Sequence, residues 1–406
     1  MTARRALWVL LAGALAVRAL YCWGLSPYDR SQPVLDVDNY THLAQNLRAT
    51  GRYEYQGQPT ALREPLFPLV LAATYTLGGE RFDAIWLLHC LLGVVTVWLV
   101  FILGRQLFGP FEAWLAAIFA VGYPQFLYYT AYPARETFQT FLFAAALAAT
   151  LALLRAPSRR NLIASAVAWG ALPLTNTVFL PAMFLAGPAL WLAGKRLGHE
   201  RRSWAIGLTV ASLALWSLWP LRNALVFGRF VPGMQEGGQH IYVQFVVPNE
   251  LQGLPEGTVY LANDPISQQA SALPPLERDR FYYRAAVDWI IAHPLGFAKV
   301  MWDSFVKFWR LYPYPRNYPG GYAKVKWVSL LSDGWLVPLG FLGLFFVGWR
   351  RPDTALVNVM MGSVMFVYMV SWATIRYRLP LMPVMVVYAA YAIARLLGKP
   401  APQETK

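Results

Sequence analysis

The chain has 406 residues, of which 57% are hydrophobic, 15% aromatic and only 14% charged, with a formal net charge of +14. Several apolar runs reach the ~18–20 residues needed to cross a bilayer, which excludes an ordinary soluble domain. The positive charge is explained by basic loops between such runs, so no nucleic acid partner is implied. Cys22 and Cys90 lie in or beside apolar runs, which excludes a disulfide framework or a cysteine metal cluster.

The first apolar run covers 6–23 behind Arg4 and Arg5 and reads as an uncleaved anchor. A cleaved signal peptide with a small-residue stretch near 14–19 is the rival reading. Residues 24–81 then form a polar loop containing LDVDNYTHLAQNL at 35–47. There Tyr40, Leu43, Ala44 and Leu47 recur at helical spacing, which predicts a helix beginning near Asp38 and stopping at Gly51. Asp38 is placed to cap that helix, since Asp accepts from the free amides of a first turn. Asp36 is left with no local structural duty and is therefore the better candidate for a base, with Asp38 as second choice. Residues 63–77 form an apolar run too short to span comfortably, which reads as an interfacial or re-entrant helix.

Further spans are expected at 82–103, 114–129, 137–154, 162–174, 178–192, 203–219, 327–349, 355–372 and 379–396, for about ten crossings with the first run. The fold class is an all-α polytopic membrane protein. Residues 1–220 form an N-terminal transmembrane module, 221–326 a long outer-face region, and 327–406 the closing helices and tail. With Arg4 and Arg5 cytoplasmic, alternate loops should be basic, and they are: Arg105; Arg155, Arg159 and Arg160; Lys195, Arg196, Arg201 and Arg202; Arg350 and Arg351; Lys399. Both termini are then cytoplasmic in a bacterial inner or plasma membrane. The loop with Asp36 shares the outer side with 129–136, 175–177, the long region and 374–378.

Arg376 and Arg378 in IRYRLPLMP, and Arg222 in WPLRN, sit on that outer side against the charge rule. Snorkelling to head groups is the plain explanation; the alternative is a phosphate site, which arginine suits because its planar fork offers several donors. Glu136 opens a span beside Arg135, where it is either a favourable acid at a helix N-terminus or a second carboxylate facing Asp36. His89 reads as a packed side chain, and the other histidines show no metal spacing. In the long region, 231–275 looks mostly irregular, whereas 276–293 and 295–310 read as amphipathic helices near the membrane. The Pro and aromatic loop RLYPYPRNYPGGY follows, either shaping an acceptor pocket or serving as a plain connector.

These stretches resemble the polyprenyl-phosphate-dependent membrane glycosyltransferases of the GT-C class, the group that includes protein O-mannosyltransferases and lipid A aminoarabinose transferase. The resemblance is carried by LDVDNYTHLAQNLRATGRY, REPLFPLVLA, LLHCLLGVVTVWLVFILGRQLFG, LWPLRNALVFGRFVP, RAAVDWIIAHPLGF and RYRLPLMP, in that order. It implies a GT-C bundle with Asp36 as catalytic base ahead of Tyr40, and a substrate cavity that includes Arg63, Glu64 and Glu136. It also implies contact of Arg376 to Pro380 with the lipid phosphate. Relatives often carry a basic residue where this chain has Asn176 in LTNT, which shifts weight onto Arg376, Arg378 and Arg222. They also often have Gly-x-Asn where this chain reads Gly238, Gln239, His240.

The implied reaction moves a sugar from a polyprenyl-phosphate donor to an acceptor hydroxyl on the extracytoplasmic face, with inversion. The acceptor is a glycan, lipid or protein, and the cofactor is left open, with a divalent metal ion as candidate. Asp36, Glu136, Arg222 and Arg376 are expected to line one cavity. A transporter or flippase of a lipid-linked sugar is the competing reading; it calls for polar residues through the depth of the spans and internal repeats, and no clear repeat is seen.

Overall fold

The computed structural model describes residues 2–248, 251–252, 255–315 and 321–400, and the central part of the RLYPYPRNYPGGY loop lies outside them. The first helix, α1 (Ala3–Leu20), is extended by a π turn over Tyr21–Leu25 and is buried along only a narrow strip. The polar loop then holds α2 (Tyr40–Thr50), ended by the left-handed Gly51, and a tight hairpin, β1 (Glu54–Tyr55) with β2 (Gln58–Pro59). The helix α3 (Leu66–Gly78) packs Phe67, Leu71 and Tyr75 into an aromatic cluster with Tyr40 of α2 and Trp86 of the next helix.

The bundle continues with α4 (Phe82–Leu107), α5 (Pro110–Gly122), α6 (Pro124–Ala131), α7 (Glu136–Arg155), α8 (Arg159–Ala171), α9 (Leu180–Arg196) and α10 (Arg202–Phe227). After the outer region it closes with three more long helices, Tyr322–Val347, Pro352–Ser371 and Met382–Leu396. Among the described residues eight helices are long and apolar enough to cross a membrane. The expected spans at 114–129 and 162–174 are the exceptions. At 13 residues each, α5 and α8 reach ~20 Å, short of a ~30 Å hydrocarbon core.

Both nevertheless carry the chain from one end of the bundle to the other. At one end Arg351 donates to the Leu107 carbonyl (2.6 Å) and to Asp353 (2.9 Å), Arg155 reaches the same Asp353 (3.0 Å), and Arg201 reaches the Leu154 carbonyl (2.9 Å). At the other end Trp23 meets Asp83 (2.7 Å), Trp86 donates to the Ala131 carbonyl (2.9 Å), and Arg135 donates to the Thr175 carbonyl (3.1 Å). Residues 107 and 154 therefore share one end, and 131 and 175 the other. The crossing at 110–131 is interrupted where Pro124 removes a backbone donor after the extended Tyr123, and the crossing begun by α8 is completed by turns at 172–175.

The outer region differs from expectation in its first half. Rather than being mostly irregular, it forms α11 (Gly237–Val246), α12 (Pro255–Asn263) and α13 (Pro265–Ser271). Here Pro at the first helical position and the Asp264 carboxylate capping Ser267 (2.8 Å) start helices that residue composition did not reveal. The second half does form two helices, α14 (Pro275–Ala292) and α15 (Pro294–Phe308), with Val287, Ile291 and Leu295 exposed.

The three closing helices are α16 (Tyr322–Val347), α17 (Pro352–Ser371) and α18 (Met382–Leu396), the last preceded by a 3-10 segment over Ile375–Leu381. The most enclosed is α18, and α16 lies close against it because a Cβ at Gly343 would fall on the Tyr388 carbonyl.

Candidate active site

The site is built on a strained turn. Asp38 and Asn39 both take left-handed backbone angles, φ +55° and +65°, a conformation that Asp and Asn tolerate better than other side-chain-bearing residues. Asn39 occupies the N-cap position of α2 but makes no capping bond; its Oδ1 accepts instead from the Tyr55 hydroxyl (3.2 Å). This turn reverses the duties expected of the two aspartates. Asp36 Oδ1 accepts the Thr41 amide of α2 (2.9 Å) and its other oxygen meets His42 Nδ1, so Asp36 is the capping carboxylate. Asp38 is free of that duty because its left-handed backbone turns it off the helix end, and its Oδ2 accepts from Arg376 Nη2 at 2.9 Å.

Three arginines surround Asp38. Arg63 holds the turn by donating from Nε to the Asp38 carbonyl (2.9 Å) and from Nη1 to Glu236 (2.9 Å). Arg135 lies over the Tyr40 ring at 5.7 Å and pairs with Glu64 (3.4 Å), leaving its buried Nε without a partner. Arg376 bridges Asp38 to Glu136, whose Oε1 accepts from Nε at 2.5 Å. Burial pushes the Asp38 carboxyl upward, but Arg376, then Arg135 and Arg63, outweigh it and hold the group below the ordinary carboxylate range.

Asp38, Tyr40, Arg63, Arg135 and Asn176 line a cavity of about 1360 Å³. Its remaining wall has an apolar part, with Val178 and Leu180 beside α9, Val367 and Trp372 around the end of α17 and Val243 of α11, and a charged part, with Arg229, Glu236, Asp279 and Arg280. The Tyr40 hydroxyl is buried without a hydrogen-bond partner, and the Asn176 side chain accepts from the Val178 amide (3.2 Å) while donating to the Tyr368 hydroxyl (3.3 Å). Glu64 is fully enclosed, accepting from both the amide and hydroxyl of Thr177 at 2.8 Å.

The expected four-residue lining is therefore corrected. Asp38 rather than Asp36 faces the cavity, and Glu136 and Arg376 connect to it through Asp38. Arg222 is elsewhere: it donates to the carbonyls of Thr60 (2.8 Å) and Tyr53 (2.9 Å) and stacks on Trp219, because the hairpin loop folds back over the end of α10. Arg378 is also elsewhere, buried against Asp333 (2.6 Å) and the Arg310 carbonyl (2.7 Å), since the 3-10 segment turns alternate side chains in different directions. Asp333 in turn accepts from Tyr123 and Gln125, each at 2.6 Å. An acid inside an apolar run is a sequence signal that could have found Asp333. His89 is a packed side chain, held to the Thr130 carbonyl at 3.2 Å.

Residues 59–219 match the family model described as dolichyl-phosphate-mannose-protein mannosyltransferase. The structure is similar to that of the archaeal oligosaccharyltransferase AglB from Archaeoglobus fulgidus in complex with an inhibitory peptide and a dolichol-phosphate. That likeness has a TM-score of 0.57 and 16% identity, covering 97% of this chain and 51% of that one. The same archaeal enzyme in complex with Zn and sulfate gives a TM-score of 0.57 and 15% identity, over 96% of this chain and 49% of the other. ArnT from Cupriavidus metallidurans bound to undecaprenyl phosphate aligns at TM-score 0.44 and 14% identity, over 97% of this chain and 79% of that one. The chain thus spans about half the length of the oligosaccharyltransferase it matches. Comparison with curated proteins finds no match. Fold and spans together define an all-α multi-pass membrane protein whose bundle is similar to that of the archaeal oligosaccharyltransferase.

The zinc in one archaeal structure raises the question of a divalent ion here. The residues present do not fit one. Asp38, Glu136 and Glu64 each already have an arginine partner, and among the described residues no group of three or more His, Cys, Asp or Glu side chains could hold a metal.

Proposed function

We propose that the protein is an integral membrane glycosyltransferase that moves a sugar from a polyprenyl-phosphate donor to the hydroxyl of a glycan, lipid or protein acceptor. The observation that carries this reading is Asp38, an ionised carboxylate on the wall of a large cavity that also presents Arg63, Arg135 and an apolar side. The apolar wall suits a lipid chain, and the arginines suit the phosphate it carries. The dolichol-phosphate in the archaeal oligosaccharyltransferase structure is of the same chemical kind.

In the reaction the acceptor oxygen attacks the anomeric carbon opposite the phosphate, the new glycosidic bond forms, and the bond to the phosphate oxygen breaks with inversion. Asp38 takes the acceptor proton, and the lipid phosphate leaves with the bond electrons. No general acid is needed because the phosphate is already a good leaving group. Preorganised guanidinium groups stabilise the charge it gains. Asp36 acts one step removed, by fixing the end of α2 from which the Asp38 turn departs. The basic loops all lie at the opposite end of the bundle, which supports an extracytoplasmic site with cytoplasmic termini.

The test is transfer by the purified protein in lipid nanodiscs, using a panel of labelled polyprenyl-phosphate sugars with mixed acceptors. Asp38→Asn should lower turnover by about 10²–10⁴-fold, the range for loss of a general base. Turnover unchanged in a folded Asp38→Asn protein would remove the assignment.

A further inference from the structure

We propose that the Arg376 guanidinium is the resident cation of the Asp38 and Glu136 carboxylates, standing where such a pair would otherwise take a divalent metal ion, so that the site operates without one. The role at the reacting centre rests on the reading of the Asp38 cavity as the transfer site; the metal behaviour does not.

Two carboxylates brought together at a membrane-embedded cavity need a counter-charge, and here one side chain supplies it to both. Nε meets Glu136 Oε1 at 2.5 Å and Nη2 meets Asp38 Oδ2 at 2.9 Å, so neighbouring donors of one planar fork face two different acids. A metal shared by those same oxygens would occupy the volume of the guanidinium. Beside it, the ion would meet like charge from Arg376 and from Arg135, which also acts on Asp38. The two oxygens Arg376 does not engage, Glu136 Oε2 and Asp38 Oδ1, are two donors where a divalent ion takes four or more. Glu64 cannot complete a set, because Thr177 and Arg135 engage both its oxygens.

The guanidinium is also held in place. Its face lies 5.6 Å from the ring centroids of both Tyr132 and Tyr377. Two residues later Arg378 is pinned to Asp333 with neither side chain exposed, which fixes the 3-10 segment carrying Arg376. Such bracing gives an arginine the fixed position that a coordinated ion has from its ligands.

The experiment measures Mn²⁺ binding by paramagnetic resonance and thermal unfolding on full-length, chelator-stripped protein in nanodiscs, with no sugar donor present. The wild type is expected to show no specific Mn²⁺ binding and no melting shift. Arg376→Met, which keeps length but removes charge, should gain Mn²⁺ binding with an upward melting shift, and the gain should vanish in Arg376→Met/Glu136→Gln. Arg376→Lys should not gain it. Specific Mn²⁺ binding by the wild type that Glu136→Gln abolishes overturns the proposal, as does a folded Arg376→Met protein that binds no Mn²⁺. In the transfer assay, turnover should persist in EDTA; loss in EDTA with recovery on adding Mn²⁺, Mg²⁺ or Zn²⁺ also overturns it. If no donor is turned over at all, the transfer reading fails while the Mn²⁺ measurements still decide the cation.

Discussion

Asp36 and Asp38 stand two residues apart and serve different elements: one oxygen of Asp36 takes the Thr41 amide at 2.9 Å, whereas Asp38 takes Arg376 at 2.9 Å from the far end of the chain. A single left-handed turn separates the capping carboxylate from the one on the cavity wall. The two should therefore separate in mutants. Asp36→Asn should cost about 1 kcal/mol of stability, as for loss of a helix cap, and leave most turnover in place. Asp38→Asn should leave the melting temperature nearly unchanged and remove turnover. Thermal unfolding and transfer measured on the same preparations check both, and the reverse pattern would return the base to Asp36.

The Asp333 and Arg378 pair is buried completely, with Tyr123 and Gln125 also donating to the acid. Removing one partner strands the other charge, so Asp333→Asn or Arg378→Met should each destabilise by about 3–5 kcal/mol. Replacing both with apolar residues of similar volume should recover much of that loss. A double-mutant cycle on denaturant unfolding measures the coupling, and additive losses would show that the pair does not act as a unit.

Asp279 of α14 accepts the Gly238 amide of α11 at 2.6 Å, yet burial, only partly offset by that bond, raises its pKa from 3.8 to about 6. A folded-state pKa above the unfolded value means that the folded form holds the proton more tightly. Its contribution to stability is present below about pH 4 and is lost as pH rises through about 6. Asp279→Asn, which can still accept the Gly238 amide, should flatten this part of the profile of melting temperature against pH. A slope unchanged in the variant would assign the dependence to another group.

Arg222 is bonded to the hairpin loop rather than to the cavity. Arg222→Met should therefore lower stability by roughly 1–3 kcal/mol, through the Thr60 carbonyl it leaves unpaired and the bond to Tyr53 it removes, without changing the KM for the lipid donor. A large rise in KM with unchanged stability would place it back at the phosphate.

The helical bundle was legible because hydrocarbon thickness imposes long apolar runs, and the alternation of basic loops gave the path of the chain even where α5 and α8 are short. The region of the site was legible too, since Asp38, Arg63, Glu64, Glu136, Asn176 and Arg376 do come together. Individual duties were harder to see. Helical periodicity placed the start of α2 near Asp38, but two consecutive left-handed residues are a backbone choice that the pattern of side chains does not encode. Arg376 and Arg378 look alike in sequence, and only packing against α16 separates the one bonded to Asp38 from the one buried with Asp333. Arg135 adjoins Glu136 in sequence, yet it pairs with Glu64 and faces the cavity.

Asp38 and Arg376 are separated by 338 positions along the chain. During synthesis the aspartate is therefore threaded into the membrane long before its counter-charge leaves the ribosome. A nascent protein halted after α17 would have Asp38 and most of the cavity wall but would lack Arg376, the foremost of the cations that act on that acid. Insertion of the last segment is thus the step that joins the two ends of the chain at the cavity.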